Sequence, residues 1–168
     1  PLLSAARDAG IEVRVGLLKA VARELNRGFL SSVKRQRPWV QLKMGMSLDG
    51  RTALNNGRSQ WITGARARAD VQYWRARSAA ILTGSGTVLA DNPSLTVREM
   101  ASAEAIAPLR VILDSQARVP GTARVFDDQA PSLHVVHEQH VPQGADAARV
   151  LGLPGNQDGL DLQALMSH

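Results

Sequence analysis

Two hydrophobic periods alternate along the chain, and the places where one gives way to the other mark its elements. Ala5 to Gly10 reads as a helix end and turn, and Ile11–Val15 as a short strand. From Leu17, the apolar positions Leu18, Val21, Ala22, Leu25 and Phe29 recur at helical spacing. Asn26-Arg27-Gly28 and the basic run Lys34-Arg35-Gln36-Arg37 read as a helix end and a connector, which Pro38 closes. A domain boundary is expected there, between residues 1–37 and 38–168. Trp39 to Leu48 then alternates strictly. Val40, Leu42, Met44, Met46 and Leu48 fall on one face of a predicted strand, and Gln41, Lys43, Gly45 and Ser47 on the other. Asp49-Gly50 and Asn55-Asn56-Gly57 carry turn chemistry.

Thr63 is placed to cap a helix over about Ala65–Ser78. Ala79–Thr83 reads as a buried strand, followed by Gly84-Ser85-Gly86-Thr87. Asp91-Asn92-Pro93 is a turn, and Leu95–Arg98 a short extended piece. Met100–Pro108 is Ala-rich and reads as a surface excursion. Leu109–Leu113, Leu133–Val136 and Arg149–Leu153 are further strands, Asp114-Ser115 is a loop, and Leu160–Met166 starts a helix. Strands alternating with helices or long connections predict an α/β fold with a largely parallel sheet.

Composition narrows the class without changing this picture. At 168 residues with 44% apolar and 21% charged positions, the chain can bury a core. No apolar run approaches the ~20 residues that cross a bilayer. There is no cysteine, so disulfides, thiolate zinc sites and a cysteine nucleophile are excluded, and a cytoplasmic location is the natural expectation. The net charge of +5 rests on 17 Arg and 3 Lys. Arginine suits phosphate oxygens, though a solvated basic surface explains the same bias.

Several residues could carry chemistry. Gly45 on the polar face of its strand would let a ligand or a backbone approach, unless this is simply a wet edge strand. Gly84-Ser85-Gly86-Thr87 follows a strand, where α/β folds place phosphate-binding loops, yet it matches neither G-x-G-x-x-G nor a Walker loop. Arg75 and Arg98, with Lys43 third, are the phosphate candidates. Asp91 could accept a hydrogen bond or handle a proton in a cleft. His134, His137 and His140 are spaced by three, which on a strand turns neighbours to opposite faces, so no metal site is expected.

Taken together, Met44-Gly45-Met46-Ser47-Leu48-Asp49-Gly50-Arg51, Ser59-Gln60-Trp61-Ile62-Thr63, Asp91-Asn92-Pro93-Ser94-Leu95-Thr96-Val97-Arg98 and Leu113-Asp114-Ser115 resemble the reductase domain of the bifunctional riboflavin-biosynthesis deaminase/reductase family. The likeness covers roughly Pro38 to Arg118 and thins afterwards. Pro1 to Arg37 resembles the end of that family's deaminase domain and its connector. The resemblance implies a fold like dihydrofolate reductase: a mixed, largely parallel sheet flanked by helices, incomplete at the C-terminus. It implies NADPH as cofactor and a phosphorylated ribosylaminouracil as substrate, whose ribosylamino chain is reduced to ribitylamino. By resemblance, Gly45, Trp61, Thr87, Asp91 and Ser115 correspond to cofactor-contacting positions. Ser59, Arg75, Leu95 and Arg98 correspond to substrate-contacting positions, and Asp91 is the candidate proton handler. The family's zinc-deaminase motif is absent from this chain, and its late glycine-rich cofactor loop is expected beyond His168. Weak NADPH binding by this length of chain follows as an expectation.

Two other readings stand beside this one. A reductase of the same fold acting on a pterin or another aminopyrimidine would leave Arg75 and Arg98 idle. A basic nucleic-acid-binding module would want aromatics interleaved with cations, but aromatics make up 4% of the chain, so nucleic acid is not expected as a partner; with no long apolar run, neither is a membrane. A homo-oligomer is compatible with each of these readings.

Overall fold

The computed structural model describes residues 2–98, 106–143, 149–156 and 159–167. Its contacts divide the chain into two compact units that meet in sequence between Leu42 and Lys43. The N-terminal unit holds α1 (Leu2–Asp8), α2 (Lys19–Leu25) and α3 (Arg27–Arg35). Gly10 ends α1 in the left-handed region at φ +77°, and the Gly10 and Ile11 amides bond to the carbonyls of Arg7 and Ala6. This is the C-terminal closure that glycine makes easy. One continuous helix from Leu17 is not formed. Asn26 turns its side chain onto the Ala22 carbonyl at 2.8 Å, stopping α2, and α3 restarts at once and runs into the predicted connector as far as Arg35.

The second unit is built on a four-stranded sheet in the order β1 (Ala80–Gly84), β2 (Leu109–Leu113), β3 (Ser132–His137), β4 (Val150–Leu153), every neighbouring pair parallel. It also holds the helices α4 (Ala65–Ala76), α5 (Ser85–Asp91) and α6 (Leu162–Met166), and short 3₁₀ turns at Arg124–Phe126 and Glu138–His140. A two-residue antiparallel pair, Gly155–Asn156 with Gly159–Leu160, precedes α6. Strand β2 explains how the layers form. Its residues Leu109, Val111 and Leu113 meet Leu133, Val135, Leu151, Leu153, Ala164 and Leu165 in one apolar cluster, which α6 covers. Ile112 packs in the other cluster with Val88 of α5, Leu95, Val119, Ala123 and Val125. Successive side chains of a strand face opposite sides, so Arg110 and Asp114 share the face of Ile112. Both are fully buried there.

Strands β1 to β4 lie within a residue of their predicted bounds, but other expectations require correction. Residues 39–48 form no strand, and among the described residues nothing pairs with them. Alternation creates an apolar face, but a strand also needs a partner for its N–H and C=O groups. Here Ser47 spends its bonds locally, its amide on the Arg51 carbonyl and its hydroxyl on Asp49. Val40, Leu42, Met44, Met46 and Leu48 are all exposed. Ile11–Val15 likewise forms no strand. Gly64, not Thr63, caps α4, and Arg68 reaches the Thr63 carbonyl at 2.5 Å. The expected loop at Gly84–Thr87 is already the start of α5, whose Val88 is pulled into the core. Leu95 is not extended but left-handed, at φ +54°. Of the excursion expected at Met100–Pro108, residues 100–105 lie outside those described.

Candidate active site at the strand ends

Because β1 and β2 are parallel, with Gly84 opposite Leu113, their carboxyl ends lie side by side. Ligands of α/β folds bind beyond such ends. Here the chain supplies Gly84, Ser85, Gly86 and Thr87 from one strand end and Asp114 and Ser115 from the other. A Cβ added at Gly84 or Gly86 would meet nothing within 4 Å, so the backbone is open to approach. Arg118, from the loop after β2, reaches the Ser85 hydroxyl at 3.4 Å and ties the two strand ends together. Thr87 is exposed and Ser115 half-buried. The structure therefore brings Thr87 and Ser115 to one edge.

Asp91 is exposed at the other end of α5. Six residue steps of helix carry the chain from Ser85 to it, about 9 Å at 1.5 Å per residue, and this places it at the head of the segment 92–98. That segment is fastened at several points. Asn92 takes a left-handed turn (φ +41°), and its side-chain oxygen accepts from the Arg124 amide at 2.9 Å. Arg110 donates to the Ser94 carbonyl at 3.2 Å, Arg75 to the Thr96 carbonyl at 3.0 Å, and the Arg98 amide donates to Gln72 of α4 at 3.0 Å. Helix α4 thereby holds Arg75 and Arg98 near one another. Burial, and after it the Arg98 charge, lowers the Arg75 guanidinium from its ordinary range. Among the described residues no carboxylate pairs with either cation. The Leu95 side chain belongs to the core, which leaves its backbone for any contact with a ligand.

Gly45, Ser59 and Trp61 lie before α4. Trp61 is exposed, with the Arg68 guanidinium 4.5 Å from its ring centre, and Ser59 is half-buried. A Cβ at Gly45 would make only ordinary contacts, 3.6 Å to the Lys43 ammonium nitrogen and 3.7 Å to the Thr63 methyl, so no backbone crowds it. Of these three, Trp61 is tied to α4 through Arg68. An open hollow of about 600 Å³ beside Ser47, Asp49, Arg51 and Asn55 is formed by exposed turns and includes none of the expected site residues.

Two buried polar pairs escaped the pattern of the sequence. Arg110 donates to Asp127 at 2.7 Å and also to the carbonyls of Arg124, Asp127 and Ala130. Asp114 accepts from the Val119 amide at 2.7 Å and from His134 at 3.0 Å. Burial alone would raise the Asp114 carboxyl, but the Val119 and Arg118 amides and the His134 ring outweigh it and hold it below the ordinary carboxylate range. The available signal was an arginine inside an otherwise apolar strand, Leu109-Arg110-Val111-Ile112-Leu113. The histidines also depart from the expected spacing. The rings of His137 and His140 do come together, 5.8 Å apart, because β3 ends at His137 and the chain turns; His134 lies apart, against Phe126.

These elements recur in known proteins. The riboflavin biosynthesis protein RibD of Escherichia coli is 41% identical over 170 residues, covering 95% of this chain and 46% of its own length. Among solved structures, RibD of Acinetobacter baumannii superposes with a TM-score of 0.81 at 38% identity, covering 98% of this chain and 45% of that one. A Thermotoga maritima diaminohydroxyphosphoribosylaminopyrimidine deaminase/5-amino-6-(5-phosphoribosylamino)uracil reductase gives 0.82 at 32% identity, again covering 98% and 45%. The chain thus spans about half the length of the relatives it matches, and it shares their dihydrofolate-reductase-like α/β fold. Residues 38–168 match the RibD C-terminal domain, and the chain belongs to that family.

Proposed function

We propose that this chain carries a riboflavin-pathway reductase domain over residues 38–168, with residues 1–37 as the end of a deaminase domain and its connector. The proposed reaction is the NADPH-dependent reduction of 5-amino-6-(5-phosphoribosylamino)uracil to its ribitylamino product in the cytoplasm. The carrying observation is Arg75 beside Arg98: two cations held near one another, one partly buried, without a carboxylate between them among the described residues. Like charges kept close raise each other's energy, and a dianionic phosphate relieves that repulsion.

The residues at the strand ends fit a phosphate-bearing dinucleotide. Gly84 and Gly86 leave the backbone open, Ser85, Thr87 and Ser115 offer hydroxyls, and Arg118 offers a cation beside Ser85. When bound, NADPH supplies a hydride to the carbon of the opened ribosylamine. Gly45 and Trp61 are assigned to the same cofactor from the segment before α4, and Ser59 and the Leu95 backbone to the substrate. Reduction that adds a hydride at carbon also needs a proton at the adjoining nitrogen, and Asp91 is assigned to hand it over, directly or through a water. Catalysis here consists of holding two reactants in line rather than of covalent chemistry.

The test is ligand binding by calorimetry in the full gene product. Arg75→Ala and Arg98→Ala should each weaken the phosphorylated aminouracil about ten- to a hundredfold, as expected for a lost charge-assisted hydrogen bond of ~1.5–3 kcal/mol, and leave the dephosphorylated compound unaffected. Equal binding of both compounds by wild type and variants would sink the assignment and favour a non-phosphorylated pterin or aminopyrimidine. Asp91→Asn with unchanged turnover across pH would remove the proton role alone.

A further inference from the structure

The histidines on β3 and in the turn after it are used by neither the proposed reduction nor the phosphate site. Their hydrogen bonds nevertheless converge on one short loop. The His134 ring nitrogen Nε2 lies 3.0 Å from Asp114 Oδ2, and the His140 ring nitrogen Nδ1 lies 2.7 Å from the Ser115 carbonyl oxygen. The His137 amide donates to that same carbonyl at 3.3 Å. A carbonyl can only accept, so His140 carries its proton on Nδ1; an ionised carboxylate can only accept, so His134 carries one on Nε2. His137 differs, since its Nδ1 accepts from the Gln139 amide at 3.2 Å.

The turn that bears His140 is itself seated closely. A Cβ added at Gly152 of β4 would stand 2.7 Å from a Val141 methyl, closer than side chains tolerate, and 3.3 Å from the Glu138 Cα, tighter than an ordinary contact. Glycine at 152 therefore lets the Glu138–His140 turn settle on the sheet, within reach of Ser115. On the other side of the loop, Asp114 also accepts from the Val119 amide, its own amide donates to the Val135 carbonyl, and Ala117 sits in a left-handed turn at φ +50°. The position of Asp114-Ser115 is thus set by β3 and the turn after it, together with the loop's own turn through Ala117 to Val119.

We propose that His134 and His140 are positioning residues for the Asp114–Ser115 loop, holding the Ser115 end of the nucleotide cradle against the end of β1. The inference rests on the assignment of that edge to NADPH, and the experiment separates the two. In the full gene product, His134→Leu, His140→Ala and Gly152→Ala are compared with the conservative His140→Asn, whose amide can still donate to the Ser115 carbonyl. Amide exchange reads the loop without any ligand. The Val119 amide should exchange about three- to tenfold faster in His134→Leu, as befits loss of one hydrogen bond of ~0.5–1.5 kcal/mol, and Ile112 in the core should not change. NADPH titration by fluorescence reads the cradle. His140→Ala and Gly152→Ala should bind about three- to tenfold more weakly on the same scale, His140→Asn should recover most of the loss, and binding of the phosphorylated aminouracil should not move. Unchanged exchange in His134→Leu overturns the positioning role of that histidine. A loss in His140→Ala that asparagine does not recover, or an equal loss of both ligands, reduces His140 to a general structural residue. A wild-type protein that binds the aminouracil but no NADPH overturns the cofactor assignment, and with it the link between loop and nucleotide.

Discussion

Two apolar-patterned stretches of this chain have opposite fates. In β2, Leu109, Val111 and Leu113 alternate with Arg110 and Ile112, and nearly the whole strand is buried between two parallel neighbours. In residues 39–48, Val40, Leu42, Met44, Met46 and Leu48 alternate as strictly, yet they stay exposed and unpaired among the described residues. The better amphipathic pattern belongs to the segment that forms no strand. What β2 has in addition is a parallel strand paired along each side, and apolar clusters above and below. Period alone describes a face; burial needs something to bury against.

The difference can be broken most sharply at Arg110. Its guanidinium is wholly buried, and its bonds run to Asp127, three nearby carbonyls and Ser94. Arg110→Ala should destabilise the second unit by about 3–5 kcal/mol, because Asp127 and several carbonyls lose their partner. Denaturant unfolding measures this, and a loss under 1 kcal/mol would deny the network its structural role. Ile112→Ala comes next, at about 2–5 kcal/mol for a large side chain removed from a closed core, read by the same unfolding curves.

Acid should act on the same face of β2. The Asp114 carboxyl is held below its ordinary range in the folded state, so its contribution is complete above the unfolded value of ~3.9 and is lost as pH falls through the lower folded value. Thermal melts taken downward from pH 5 should therefore drop, and Asp114→Asn should flatten that acid limb while lowering stability at neutral pH. A variant with the wild-type acid slope would assign the drop to other carboxylates. The smallest effect belongs to the exposed segment. Leu42→Ala and Met44→Ala should change the unfolding free energy of this chain by within about 0.5 kcal/mol. A core-sized loss there would mean that the segment is paired in solution and that its likeness to β2 is real.

The same contrast explains what was legible beforehand. The bounds of β2 were read without error, and β1, β3 and β4 within a residue, because short apolar runs flanked by polar or glycine residues have few other ways to satisfy both burial and hydrogen bonding. Among the site residues, Arg75 and Arg98 stood out as cations, but nothing in their spacing showed that Gln72 and the Thr96 carbonyl would draw α4 and the segment 94–98 together. Leu95 and Ser115 were named through resemblance; their environments, core for one and strand-end loop for the other, came from the fold. Arg110–Asp127 and Asp114–His134 were invisible, since residues 17 and 20 positions apart meet only when strands fix their registers.

By itself, then, the amino-acid sequence determined the class of this protein: a cysteine-free α/β chain whose central strands are dictated by local apolar patterning and turn residues, and whose ordered motifs resemble a reductase family. Only the tertiary structure decided which patterned stretch became a strand, which buried charges found partners, and which histidines reach the Asp114–Ser115 loop. The reason is physical. Side-chain periodicity is a property of neighbours in the chain, but hydrogen-bond partners, burial and the proximity of charges are set by segments far away in sequence, and these exist only once the sheet has brought them together.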